Sequence, residues 1–338
     1  MQERIGLTIL KAMPLHKGHE LLIKMGYDLT DDFHIIVSGN ETDEVPLTTR
    51  VDWVREFCAK ENFESVTVHY HQDQSPTPVN VDDNGTVLDE DFQKYWVKEF
   101  VRLVPDVTHI VSSDYYGQVL AERMRLGWLP VDPDREVVPI SATKIREDII
   151  SNFHYISQSA KGHYVKKVAI IGAESTGKSI LTKHMARVTN STYAPEYGRT
   201  LSVTKNNVLT EEDFFDIIFG QCTLIDHAVS TTKSPFVFVD SEAYTTFLYH
   251  TEFLGEVHPY MNLYGINQHF DLYVLMMPDV EWVDDGSRTM SDQAKREQFT
   301  ADLKDFLDKY NKPYIMISGK YFSERREKAQ RKILEFLL

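Results

Sequence analysis

Eight residues near the middle of the chain, Gly172-Ala-Glu-Ser-Thr-Gly177-Lys178-Ser179, constrain its fold more than any other stretch. They fit the pattern G-x-x-x-x-G-K-[ST]. An apolar run, 168–171, precedes them, and Ile180, Leu181, His184, Met185 and Val188 follow at helical spacing. The two glycines let the backbone turn tightly enough for its N–H groups to surround phosphate oxygens, and the helix start adds partial positive charge at the same place. The pattern therefore predicts a strand, a phosphate-binding loop and a helix, in that order. Gly172, Glu174, Ser175, Thr176, Gly177, Lys178 and Ser179 are the expected ATP contacts, with Lys178 reaching the β- and γ-phosphates and the Ser179 hydroxyl holding Mg²⁺.

A loop of this type opens a domain, and 338 residues are enough for two. The polar stretch 158–163, with its glycine, reads as a linker, giving expected domains 1–158 and 163–338. In the first, strands are expected at 4–10, 33–38, 65–70 and 109–113, with helices at 20–29, 50–60 and 92–104. In the second, strands are expected at 165–171, 236–240, 272–276 and 314–317, and a structural helix at 323–338 buries Ile333, Leu334 and Leu337. Strands alternating with helices imply an α/β protein with a parallel sheet in each domain. Residues 72–91, rich in Asp, Pro, Asn and Gly, are too long for an ordinary connection and read as a substrate-covering or flexible loop.

Charge and apolar patterning exclude several classes of function. No apolar run approaches the ~20 residues of a membrane span, and the N-terminus lacks the form of a signal peptide, so a cytoplasmic protein is expected. A formal net charge of -15 opposes general nucleic-acid binding and leaves phosphate recognition to local basic groups and helix ends. Cys58 and Cys222 fall in different domains inside apolar helical patterns and read as buried free thiols.

Two stretches of the first half add phosphate-binding chemistry. Pro14-Leu-His16-Lys-Gly18-His19 turns from the first strand into a helix carrying Leu21, Leu22, Met25 and Leu29 on one face. Two histidines at a helix start can donate to phosphate oxygens, and Gly18 admits a ligand close to the backbone, although such histidines are more often structural. Residues 137–148 read as a short strand entering a helix, with Ser141 and Thr143 at the helix start and Lys144 or Arg146 one turn on. Alone, that segment is a capped surface helix. His69 and His71 share one side of a strand, but two ligands do not make a metal site.

Together the two stretches resemble the nucleotidylyltransferase superfamily. Within it the chain is similar to the NadR family, which pairs a nicotinamide mononucleotide adenylyltransferase with a ribosylnicotinamide kinase. The likeness runs through Lys11, Pro14 to His19, Ser112-Ser-Asp-Tyr-Tyr-Gly117, Val131-Asp-Pro-Asp-Arg135, Ile140 to Arg146, the phosphate loop, Pro195-Glu-Tyr-Gly-Arg199, Phe238-Val-Asp240 and Glu281 to Arg288. The family's Asp-Thr-Asp reads here as Asp240-Ser241-Glu242, and Leu10 and Ala12 also depart from the common pattern. Some members begin with a helix-turn-helix domain; this chain opens on its first strand, so no DNA-binding role is implied.

The resemblance implies adenylyl transfer in the first domain, with His16 and His19 on the α/β-phosphate region, Lys11 and Gly18 at ATP, and Arg146, Ser141 and Thr143 holding pyrophosphate. In the second it implies phosphorylation of nicotinamide riboside. Asp240 ends an apolar strand near the phosphates, where it would hold Mg²⁺ or accept the proton of the attacking hydroxyl, unless it merely caps a turn. Arg288 follows a turn signal and is the expected lid arginine. Glu196, Tyr197 and Arg199 are expected at the riboside by resemblance. The implied ligands are ATP, Mg²⁺, nicotinamide riboside, nicotinamide mononucleotide and NAD, and a homo-oligomer is compatible with the sequence. Trp53, Trp96, Trp128 and Tyr115 are all candidates for the nicotinamide ring. Two alternatives use the same motifs: a coenzyme A pathway fusion of phosphopantetheine adenylyltransferase with dephospho-coenzyme A kinase, and a nicotinamide nucleotide sensor without turnover.

Overall fold

The computed structural model describes residues 3–77, 89–283 and 290–338, and the chain divides into two compact units, Met1–His163 and Tyr164–Leu338. Arg288 and most of the 72–91 segment lie outside the described residues. Among those described, no helix is long and apolar enough to cross a membrane.

In the first unit, strands β1 (Ile5–Leu10), β2 (Asp32–Gly39), β3 (Val66–Gln72), β4 (His109–Ser112) and β5 (Gly127–Pro130) form a parallel sheet in the order β3-β2-β1-β4-β5. Helices α1 (Lys17–Leu29), α2 (Leu47–Lys60), α3 (Glu90–Leu103) and α4 (Tyr116–Met124) make the crossovers, and α5 (Ala142–Glu147), α6 (Ile149–Asn152) and α7 (Gln158–Tyr164) finish the unit. Leu7, Ile36, Ile110, Trp96, Phe100 and Leu120 form one core cluster between the sheet and its helices. The stretch expected as a linker is helix α7, and the strand expected at 137–140 is irregular. The fifth strand is Gly127–Pro130, which is too short for alternation to reveal it.

In the second unit, β6 (Lys166–Ile171), β7 (Tyr193–Ala194), β8 (Phe236–Asp240), β9 (Leu272–Met276) and β10 (Tyr314–Ile317) form another parallel sheet, in the order β10-β9-β6-β8-β7. Its helices are α8 (Lys178–Val188), α9 (Tyr197–Thr204), α10 (Glu211–Thr231), α11 (Ala243–Leu254), α12 (Asn262–Asn267), α13 (Gln293–Lys309) and α14 (Phe322–Leu337). β8 and β9 are buried at every position, as strands covered on both faces must be. Helix α8 buries Leu181, Thr182, Met185 and Ala186, whereas Ile180 and Val188 are exposed and His184 pairs with Gln330 at 2.7 Å. The inward face of that helix is thus rotated from the one expected. In α14, Ile333 and Leu337 are buried and Leu334 is half-buried.

In each sheet the leading strand is central, with later strands added first on one side and then on the other. A crevice opens beyond the carboxyl ends of the strands where the direction of winding reverses, and open α/β sheets bind ligands there.

Candidate active sites

The crevice of the first unit is a cavity of about 910 Å³. Residues following β1, β2 and β4 line it, among them Lys11, His16, Gly18, His19, Asn40 and Asp114. His16 is the N-cap of α1, and its Nδ1 accepts from the Gly18 amide at 3.1 Å. In the neutral ring the proton therefore sits on Nε2, which leaves one N–H donor unspent on the backbone. His19 stacks on it with ring centroids 3.7 Å apart, and the buried Nδ1 of His19 has no partner. Burial, then the nearby Arg135 guanidinium, pushes His16 down to about 4. Burial pushes His19 well below the usual imidazole range, with His16 and Arg135 adding to the effect. Both rings are neutral at pH 7.

A Cβ at Gly18 would stand 3.0 Å from Cε1 of His16, so a side chain there would press on that ring. Ser141, the N-cap of α5, and Thr143 also line the cavity. Arg146 does not; it donates to the Met13 carbonyl and to Thr143 Oγ1, fastening α5 to the loop before His16. Of the four aromatic candidates, Trp96 and Tyr115 reach the cavity, while Trp53 packs on His163 and Trp128 donates to Ser112.

Two residues given no role by sequence reasoning complete this wall. Arg135 lines the cavity within electrostatic reach of both histidines, and Asp114, its carboxyl pushed up by desolvation, also lines it within electrostatic reach of Arg135. Arg50 is wholly buried and donates to the Lys11 carbonyl at 2.8 Å, to Ser38 O at 3.2 Å and to Asp43 at 2.7 Å. It ties together the ends of β1 and β2, from which the site grows.

His69 and His71 belong to separate networks. His69 bonds to His34 at 2.9 Å, and His71 bonds to Ser38 at 3.0 Å and pairs with Glu99 at 3.3 Å. Among the described residues no group of three or more His, Cys, Asp or Glu side chains is placed to hold a metal. Cys58 and Cys222 are free, the first buried and the second half-buried.

The second unit forms its phosphate loop as the sequence requires. Gly172 (φ 143°) and Gly177 (φ 89°) lie where side chains are strained, and a Cβ on Gly172 would meet the Met276 carbonyl at 2.6 Å. Lys178 is buried, and its ammonium donates to Ala173 O at 3.1 Å. Beneath the loop, buried Arg296 donates to the Glu174 and Val280 carbonyls, each at 3.2 Å. Glu174 and Ser175 accept from the Met290 and Val283 amides at 2.8 and 2.9 Å, which fixes the loop's outer edge.

Beside the loop lies a cavity of about 80 Å³ lined by Glu174, Lys178, Glu196, Arg199, Gln221, Ser241 and Tyr249, with Leu209, Phe214, Ile217 and Phe253 on its apolar side. Glu196 and Arg199 come within 3.6 Å of each other. Tyr197 instead packs its ring in the cluster of Phe214 and Ile217, against Gly220. Asp240 takes a hydrogen bond from Ser179, and its buried Oδ1 has no partner. Burial, then Glu196, raises this carboxyl to about 6, while Lys178 opposes the shift. A serine hydroxyl and a carboxylate with a spare buried oxygen form a donor set suited to Mg²⁺. Glu242 is structural: wholly buried, it caps α11, accepting from the Tyr244 and Thr245 amides at 2.6 and 2.8 Å.

Residues 167–326 match the family model described as an AAA domain. The trifunctional NAD biosynthesis/regulator protein NadR of Escherichia coli (strain K12) is 26% identical over 96% of this chain and 81% of its own length. The Salmonella typhimurium (strain LT2) protein of the same name is 26% identical over 94% and 79%. The chain is a homologue of the NadR proteins. Crystal structures of NadR in complex with NR and in complex with NAD and AMP-PNP share its fold. Their TM-scores are 0.77 and 0.75, at 21% and 22% identity, each covering 99% of this chain and 96% of the solved one. The NadR fold thus accounts for both sheets, whereas the AAA match accounts for the second alone.

Proposed function

We propose that this chain is a two-step enzyme of NAD biosynthesis, with a ribosylnicotinamide kinase in the second unit and a nicotinamide mononucleotide adenylyltransferase in the first. The observation that carries the reading is that one chain holds two separate cavities of different chemistry, each beside the loop that follows a leading strand. One is built from neutral histidines, and the other from a loop lysine facing a strand-end carboxylate. The NadR likeness supplies the substrates.

In the kinase step the 5′-hydroxyl of nicotinamide riboside forms a bond to the γ-phosphorus of ATP as the bond to the β-bridging oxygen breaks, giving ADP. Asp240, next to Ser241 of the cavity wall and within electrostatic reach of Lys178, would orient that hydroxyl and take its proton. Lys178 leaves the Ala173 carbonyl for the β/γ-phosphates, and Glu196 and Arg199 hold the riboside. Ser179 and Asp240 would hold Mg²⁺, which neutralises phosphate charge when bound. The adenylyltransferase step needs no covalent enzyme intermediate, because the phosphate of nicotinamide mononucleotide is already an anionic nucleophile. It attacks the α-phosphorus of a second ATP, the bond to the departing pyrophosphate breaks, and NAD forms. His16 and His19 donate to the α/β-phosphates, Lys11 and Arg135 supply charge, and Ser141 and Thr143 receive pyrophosphate beside the Arg146 clamp. The enzyme is cytoplasmic, its partners are these small molecules, and its net charge of -15 opposes nucleic acid.

The test is to incubate the protein with ATP, Mg²⁺ and either nicotinamide riboside, nicotinamide mononucleotide or phosphopantetheine, following NAD, ADP and pyrophosphate. NAD from both nicotinamide substrates, with ADP only from the riboside, is the expected result. Turnover of phosphopantetheine alone overturns the reading, as does binding without turnover.

A further inference from the structure

β8 ends at Asp240, and the next residue leaves the strand in a conformation serine rarely adopts. Ser241 has φ 67°, and its amide still donates to Ile170 O at 3.1 Å. The residue is 5% exposed and lines the cavity beside the phosphate loop, yet its hydroxyl has no hydrogen-bond partner. A buried hydroxyl left unpaired costs free energy that a bound group would recover, and strained backbone of this kind collects at ligand sites.

Three polar side chains around it are already engaged. Gln221 accepts from the Tyr197 amide at 2.9 Å and donates to Asp240 O at 3.4 Å. Thr245 Oγ1 donates to Glu242, and Thr246 Oγ1 donates to the Glu242 carbonyl. Two adjacent residues, Asp240 and Ser241, are thus left with unspent buried oxygens, and the cavity that Ser241 lines has an apolar side of Leu209, Phe214, Ile217 and Phe253. An apolar surface for a flat ring beside uncommitted polar atoms is the complement of a nucleoside.

We propose that Ser241 is a specificity-determining residue of this pocket, its hydroxyl bonding a secondary hydroxyl of the acceptor's ribose while Asp240 serves the 5′-hydroxyl. The proposal rests on the kinase reading. It makes the pocket selective for ribosides over deoxyribosides, because a missing sugar hydroxyl leaves Ser241 unpaired again.

The experiment compares kcat/KM for phosphorylation of nicotinamide riboside and its 2′-deoxy and 3′-deoxy analogues in the wild type, in Ser241→Ala and in Ser241→Gly, which suits the positive φ. Adenylyl transfer to nicotinamide mononucleotide serves as the folding control. In the wild type one deoxy analogue should be disfavoured by roughly 10-fold to 100-fold, and both variants should bring that ratio close to unity by losing activity on the riboside alone. A preference retained in both variants, or an equal loss on all three acceptors, overturns the assignment. If the wild type phosphorylates no riboside at all, the kinase reading itself has failed.

Discussion

In the first unit the groups next to the loop after the leading strand are two stacked imidazoles kept neutral by burial and by Arg135. In the second, the loop after the leading strand carries a buried ammonium, Lys178, in a pocket with Glu174 and Glu196, and the carboxyl of Asp240 lies within electrostatic reach of it. Both sites lie at a reversal of winding in a five-stranded parallel sheet, so the topology is shared and the electrostatics differ. Neutral donors can be buried as a pair without repelling one another. A buried cation needs counter-charges, and those same carboxylates then become available for acceptor and metal. The shared topology supplies a strand-end crevice in each unit, while the buried side chains give the two crevices different electrostatics.

The largest effects should come from crossing the two sites. Lys178→Ala is expected to lower riboside phosphorylation by about 10³-fold and leave adenylyl transfer unchanged. His19→Ala should do the reverse, by about 10²-fold to 10³-fold. Separate assays of ADP and pyrophosphate read both, and loss of both activities in either folded variant breaks the division.

Stability should divide in the same way. Arg50→Met removes the buried cation joining Lys11, Ser38 and Asp43, and should destabilise the first unit by about 3 kcal/mol or more in denaturant unfolding while kinase activity survives. Loss of both activities together at low denaturant would show that the units do not respond separately.

Acid should also act on the first site. The folded state depresses the pKa of His16 from 6.5 to about 4, so below pH 6.5 the unfolded chain binds a proton that the folded one refuses. Stability of the first unit is therefore complete above pH 6.5 and declines as pH falls from there toward 4, by up to about 3 kcal/mol from this group. His16→Gln should lose that part of the slope in melting curves collected between pH 7 and 4.5; an unchanged slope would place the burden on other groups.

The smallest expected effect sharpens the other side. Thr210 and Asp213 form a capping box on α10, the helix that brings Phe214, Ile217 and Gln221 to the cavity beside the phosphate loop. Thr210→Ala should cost about 1 kcal/mol and raise KM for the riboside more than it lowers kcat. Equal kinetics with a lowered melting temperature would confine the cap to stability.

The phosphate loop was legible because its chemistry is contiguous: two glycines, a lysine and a serine within eight residues between a strand and a helix admit few other uses. His16, Gly18 and His19 lie within four residues of one another, so their place at one strand end could be read locally, and alternating apolar runs disclosed two parallel sheets. What tertiary structure alone decided concerns groups brought together across long separations. Nothing local in the sequence marks Arg50 or Arg296, yet they are buried clamps on strand-end and loop carbonyls, because only the packed sheets bring those carbonyls to them. Arg135 meets His16 and His19 from more than a hundred residues away, and Ser241 becomes an unspent donor only when the end of β8 is pinned to Ile170 and the groups beside it are taken. Helix α8 shows the same limit. Its period was readable, but which residues faced inward depended on the elements packed against it, so Ile180 and Val188 are exposed. Sequence by itself determined the loop between β6 and α8 and the histidine turn into α1, since each needs only local backbone and one or two side chains. Burial, partner and protonation state are sums over distant segments, and only the folded sheets supply those terms.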